Sequence, residues 1–222
     1  MNIDNFTPKQ IEEAKEVIQK KEFIIPLPKT SNEIPPVLYV FRHGQSEDNS
    51  NFIFSGWRDS KLTELGRNQA EILSEKLKDE HFDLAITSKL VRAKETLDIV
   101  LKHHRNAKVE IDDRIIERSY GDLQGSSKIE LYLKDPVTEE KYRRDYDFPA
   151  NNGESLKMVE KRVKSFLNSL LPRMKAEKIN VVVSCHSNSM RALRKILENL
   201  TVEEMCKLEN PLGQDFASYE IK

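Results

Sequence analysis

From Val37 onward short apolar runs alternate with longer amphipathic segments, a pattern that few folds accommodate. Val37 to Phe41 reads as a buried strand, Leu84 to Thr87 and Val181 to Ser184 as further strands, and Val109 to Ile111 as a short one. Between them, Thr63 to Lys78, Leu90 to His103, Ser155 to Lys175 and Met190 to Leu200 read as helices. In the first of these, Leu65, Gln69, Ile72, Leu73 and Leu77 mark the period. Strands alternating with helices predict an α/β fold: a three-layer sandwich, with a mostly parallel central sheet and helices on both faces. At 222 residues, against about 150 per domain, one core-bearing domain with an appendage is expected.

The appendage is residues 1–36. Thr7 as N-cap, Pro8 at the first helical position and Gln10 completing a capping box predict a helix over Thr7 to Glu22, with Ile11, Ala14, Val17 and Ile18 on one face. The proline-punctuated stretch FIIPLPKTSNEIPP cannot continue it and reads as an extended connector to Pro36. Asp4, Glu12, Glu13 and Glu16 argue against a transit peptide. A docking helix is expected, and the sequence leaves open whether it shields the back of the sheet or forms an oligomer contact. Residues 37–222 are expected to form the core-bearing domain, with an irregular, charge-rich segment at about 126–150 that could fold over the mouth of the sheet.

Composition narrows the partners. Lys and Arg total 36 against 37 Asp and Glu, a net charge of −1, so there is no basic stripe for nucleic acid and no polybasic case for a membrane surface. No apolar run approaches a membrane span. Cys185 and Cys206 have neither the number nor the spacing of a disulfide framework or zinc site, and a cytoplasmic protein acting on a small molecule is expected. The seven glycines are less than half of the roughly 7% usual in proteins, so each is expected at a position that needs one.

In a parallel sheet, ligands gather beyond the carboxyl ends of the strands. Arg42-His43-Gly44 follows the first apolar run, and Cys185-His186-Ser187-Asn188-Ser189 follows the run at 181–184. A lone strand-end histidine is more often a hydrogen-bonded structural residue, but two at matching places shift the balance. Arg42 has no packing reason to end a buried strand and should project to an anion. Asn188 and Ser189 open a helix whose free N–H groups would face the same mouth. Arg92 arrives after the strand at 84–87, and Glu117-Arg118 after the strand at 109–111. Two histidines, two or three arginines and one glutamate on one rim suit phosphoryl transfer without metal: neutral imidazole as acceptor, arginines on the phosphoryl oxygens, a carboxylate to move the proton. Asp112 and Asp113 stand alone and GxxxxGK is absent, so neither a Mg²⁺ site nor a P-loop is predicted. Cys185, on the alternate strand face, reads as core. His81, His103 and His104 have no assigned role, and Trp57 is expected to pack beneath the substrate loop.

The ordered set RHGQSEDN, FSGW, LTELG, TSKLVRAKET, ERSYGDLQGSSK, YRRDYD, NGESL and CHSNSMRAL resembles the histidine phosphatase superfamily, and within it the cofactor-dependent phosphoglycerate mutases, over about Val37 to Ile221. The resemblance implies that His43 becomes the phosphohistidine, that Arg42 and Arg92 hold the phosphoryl group, that Glu117 gives and takes the proton, and that His186 stabilises charge. It places Asn49, Ser55, Gly56, Ser187 and Asn188 around the substrate, with Tyr120, Lys128, Arg143 and Arg144 gripping it. It implies interconversion of 3-phosphoglycerate and 2-phosphoglycerate, primed by 2,3-bisphosphoglycerate, in glycolysis and gluconeogenesis, by a monomer or small homo-oligomer. A mutase must keep its phosphohistidine from water while the substrate reorients, and a cationic lid serves that need.

Two positions depart from the family pattern: Asp48 stands where the mutases usually have tryptophan, and Ser187 where they usually have glycine. They motivate the alternative of a phosphomonoesterase acting on small phosphoesters through the same phosphohistidine. A binding module without turnover is a third reading, against which the joint presence of His43, Glu117 and His186 speaks. Residues 1–36 match nothing recognised in the family.

Overall fold

The computed structural model describes residues 6–20, 23–30 and 36–222. The end of the first expected helix (21–22), part of the connector (31–35) and Asp4 lie outside the described residues. Five strands form one sheet in the order β3-β2-β4-β1-β5, where β1 is Val37–Arg42, β2 Leu84–Thr87, β3 Lys108–Ile111, β4 Val181–Cys185 and β5 Ala217–Glu220. All pairings are parallel except that of β5 with β1. The period of two in β1 sorts its side chains to opposite faces. Leu38 and Val40 join the core beneath α7 (Leu156–Glu177) and α8 (Ser187–Glu198), while Val37, Tyr39 and Phe41 join the core shared with α3 (Glu64–Leu77) and α4 (Val91–Val100). The fold is therefore the three-layer sandwich expected, its sheet mixed by one antiparallel edge strand. None of the helices among the described residues is long and apolar enough to cross a membrane.

Register places the chemistry. Arg42 lies opposite Cys185 and Thr87 opposite Ser184, so the next residues, His43, His186 and Ser88, emerge side by side at the carboxyl edge. The His43 N–H donates to the Cys185 carbonyl at 3.1 Å, extending the ladder by one bond.

Three expectations are corrected. The segment at 126–150 is not irregular: it holds α5 (Lys128–Lys134) and α6 (Pro136–Arg144), capped by Ser127 and Asp135. The last long helix begins at Ser187, three residues earlier than its apolar period indicates, because His186 is its N-cap. The helix α1 (Pro8–Gln19) has the expected Thr7–Gln10 capping box, but Val17 is exposed; only Ala14 and Ile18 are buried, against α5 rather than the back of the sheet. Among the described residues, the short helices α2 (Glu47–Ser50), α5, α6 and α9 (Val202–Lys207) and the strand β5 had no counterpart in the sequence reading.

The loop after β1 passes between two glycines. A Cβ on Gly66 would overlap the Gln45 carbonyl, and one on Gly44 would overlap the Gly66 carbonyl. Gly66→Ala should therefore cost about 1–3 kcal/mol in denaturant unfolding through overpacking. Leu65→Ala, at an exposed neighbouring position, should stay within about 0.5 kcal/mol.

Candidate active site

A cleft of about 400 Å³ opens at the carboxyl edge of the sheet. Its lining includes Arg42, His43, Asn49, Ser55, Gly56, Arg92, Glu117, Tyr120, Lys128, Arg143, Arg144, Ser187 and Asn188. His186 does not line it; fully buried, it stands behind His43 with ring centroids 5.1 Å apart.

The two histidines are held in defined states. His43 Nδ1 lies 2.6 Å from the Gly44 carbonyl, which assigns the proton to Nδ1 and leaves the lone pair on Nε2. Burial, followed by the charges of Arg92 and Arg42, pushes the His43 pKa well below the usual imidazole range. Arg92 Nε points at His43 Nε2 from 3.2 Å. In His186, Nε2 meets the Ser88 hydroxyl at 2.6 Å, and that hydroxyl oxygen also accepts from the Leu90 N–H. Burial, then Arg92 and His43, keep this ring neutral too.

The arginines beside them are anchored by carbonyls instead of carboxylates. Arg92 donates to Gly56 and Arg58 oxygens, both at 2.9 Å, and Arg42 to the Asn210 oxygen at 3.2 Å. Arg42 Nε is buried without a partner among the described residues. Carbonyl anchoring fixes the guanidinium planes while leaving their charge largely uncompensated, as an anion site requires.

Glu117 accepts four N–H bonds: from Arg118 N, Ser187 N, Asn188 N and Asn188 Nδ2, at 2.8–3.1 Å. The first N–H groups of α8 are thus taken by this carboxylate and do not face the mouth free, which corrects the sequence reading. Asn188 Oδ1 in turn accepts from Arg191, so its side chain positions Glu117.

The opposite wall is cationic. Lys128 is half-buried, lies over the Phe54 ring and makes no ion pair among the described residues. Burial first, then Arg143 and Arg42, lower its pKa to about 8. Arg143 pairs with Glu139, and Arg144 with Glu209, which also meets Arg191. Arg191, Glu209, Gln45, Phe52, Ile18 and Gln19 line the cleft and were missed by sequence reasoning. Arg191, six residues after Cys185 in the motif carrying His186, was the one with a signal.

Two assignments fail. Arg118 does not converge on the mouth; it is buried and donates to the Glu154 and Phe148 carbonyls. Trp57 does not pack beneath the substrate loop: it is 44% exposed, and its Nε1 donates to the Glu117 carbonyl. Cys185 is core, as read. Asp48 is buried near Arg58, 3.7 Å from its Nε, outside the cleft lining.

An α/β sheet presenting two neutral histidines among arginines at its carboxyl edge is suited to handling a phosphoryl group. The sequence model of the histidine phosphatase superfamily (branch 1) matches residues 38–215, and the chain belongs to that superfamily. It is 40% identical over 185 residues to a 2,3-bisphosphoglycerate-dependent phosphoglycerate mutase of Nitrobacter hamburgensis, covering 80% of this chain and 88% of that one. It is 38% identical over 191 residues to a phosphoglycerate mutase of Schizosaccharomyces pombe, covering 83% and 90%. Among solved structures it resembles Bacillus stearothermophilus YhfR (TM-score 0.76, 25% identity, 84% and 91% covered). A mycobacterial glucosyl-3-phosphoglycerate phosphatase is similar to it as well (TM-score 0.74, 26% identity, 82% and 90% covered).

Because both folded-state histidine pKa values are depressed, protons bind the unfolded chain first as pH falls. The stability contributed by these neutral rings is present above about pH 6.5 and is lost as pH falls below it. In ¹⁵N-histidine NMR, His43 and His186 should keep neutral-tautomer shifts from pH 8 through pH 6, His43 with its proton on Nδ1.

Proposed function

We propose that this protein is a phosphoglycerate mutase that moves a phosphoryl group between the 3- and 2-hydroxyls of glycerate through His43. The observation carrying this reading is Lys128: a half-buried ammonium, without an ion pair among the described residues, lining the same cleft as the Arg42–His43–Arg92 cluster. A cleft with cations at both ends fits a ligand that is anionic at both ends, a phosphoester carrying a carboxylate or second phosphate. 2,3-Bisphosphoglycerate meets that description, and the same two ends would hold it. When bound, it supplies the phosphoryl group that primes His43.

In this reading His43 Nε2 forms the P–N bond as the ester P–O bond breaks, and Glu117 gives its proton to the leaving oxygen. Arg42 and Arg92 carry the charge on the phosphoryl oxygens, and the His186 ring, packed behind His43, stabilises that charge. The free hydroxyl of a bound monophosphoglycerate then attacks the phosphohistidine while Glu117 accepts its proton. After the molecule reorients, His43 takes the other phosphoryl group and Glu117 returns the proton. Lys128, Arg143 and Arg144 hold the carboxylate end throughout, Arg144 by exchanging Glu209 for the substrate.

One observation favours hydrolysis. Arg143 and Arg144 already have carboxylate partners, and the solved structures it resembles include phosphatases. An enolase-coupled assay separates the readings: isomerisation dependent on bisphosphoglycerate with little phosphate release is expected, and steady phosphate release without isomerisation would overturn the mutase reading. Lys128→Met should raise the KM for 3-phosphoglycerate about 10- to 100-fold, as loss of one charge-assisted contact implies. With the lysine charged only below about pH 8, the wild-type KM should rise as pH increases through 8, and that inflection should vanish in the variant.

A further inference from the structure

The amino-terminal helix lies outside the region shared with the superfamily, which begins at residue 38, yet its carboxyl end reaches the cleft: Ile18 and Gln19 are part of its lining. Helix α1 buries Ala14 and Ile18 against Ile129 of α5, forming a small core separate from the two that flank the sheet. The last carbonyls of a helix lack intrahelical partners and carry its negative end. Here the Ile18 carbonyl accepts from Arg143 Nη2 at 3.1 Å, so α1 fixes one lid arginine directly. The chain leaving α1 fixes the second through its partner. The Phe23 carbonyl accepts from the Glu209 N–H at 2.9 Å, and Glu209 pairs with Arg144. Arg194, fully buried, holds the connector by the Ile25 and Pro26 carbonyls.

We propose that α1 is the outer wall of the cleft and the clamp on Arg143, restricting the site to short phosphoesters and excluding bulky ones. The inference rests on the reading of His43 as phosphoryl acceptor, and extends it to which alcohols reach that atom. At about 400 Å³ the cleft is near the small end of ligand pockets, and α1 supplies the side facing solvent. A helix that served only to buttress α5 would affect stability and all substrates alike. A wall affects them by size.

The test uses the full chain and compares phosphate release from glycerol 3-phosphate and p-nitrophenyl phosphate. Ala14→Asp places a carboxylate in the dry α1–α5 contact and should undock the helix. The ratio of kcat/KM for the bulky ester to that for the small one should rise at least tenfold, with far-UV circular dichroism close to wild type. Gln19→Trp, at an exposed position, should lower the same ratio several-fold without changing the melting temperature, and it decides the question alone if the first variant does not fold. Glu13→Gln, on the exposed face of α1, should leave the ratio unchanged. A ratio within twofold of wild type in the folded variants, or a parallel fall for both esters, would overturn the proposal. Absence of isomerisation by the wild-type chain would overturn the mutase reading alone, because the size ratio is measured on hydrolysis.

Discussion

The parallel pairing of β1 with β4, with Arg42 opposite Cys185, is the constraint on which the site depends. It brings two imidazoles to the same buried edge, and burial together with guanidinium charge holds both neutral. The cost of burying those guanidinium groups is offset by carbonyl oxygens: Gly56 and Arg58 for Arg92, Asn210 for Arg42. Carboxylate partners would have stabilised the arginines equally while cancelling the field that an anionic group must meet. Glu117, a carboxylate close to the cluster, is immobilised by four N–H donors, so it stays where proton transfer needs it.

Much of this was legible in the sequence because strand-end residues are read directly from where an apolar run stops. His43, Arg42, Arg92, Glu117 and His186 were all found in that way. The segment at 126–150 was misread for an identifiable reason: α5 and α6 are short and rich in charge, so hydrophobic periodicity is weak there. Their boundaries were nevertheless written in Ser127, Asp135 and Pro136. Strand β5 was missed because ASYE is four residues long and pairs antiparallel at an edge. Ser88 could not have been assigned in advance, since its role depends on the β2–β4 register that puts it 2.6 Å from His186. Arg118 misled for the converse reason: adjacency to Glu117 in the chain does not put both side chains on one side of the backbone.

The cleft joins elements of different stability. Its histidine end is built on the central strands and two cores, whereas its cationic end stands on short helices backed by the small cluster around Ala14, Ile18 and Ile129. A rigid phosphoryl end with a more loosely supported substrate end suits chemistry in which the phosphorus stays fixed while the rest of the molecule turns.

The most direct measurement of the central claim is ³¹P NMR of the chain phosphorylated in situ with 2,3-bisphosphoglycerate and quenched in base. With Nδ1 committed to the Gly44 carbonyl and Nε2 facing Arg92, a single phosphohistidine bearing the group on Nε2 of His43 is expected, absent in His43→Ala. A phosphoryl group on Nδ1 of that ring, or on His186, would contradict it.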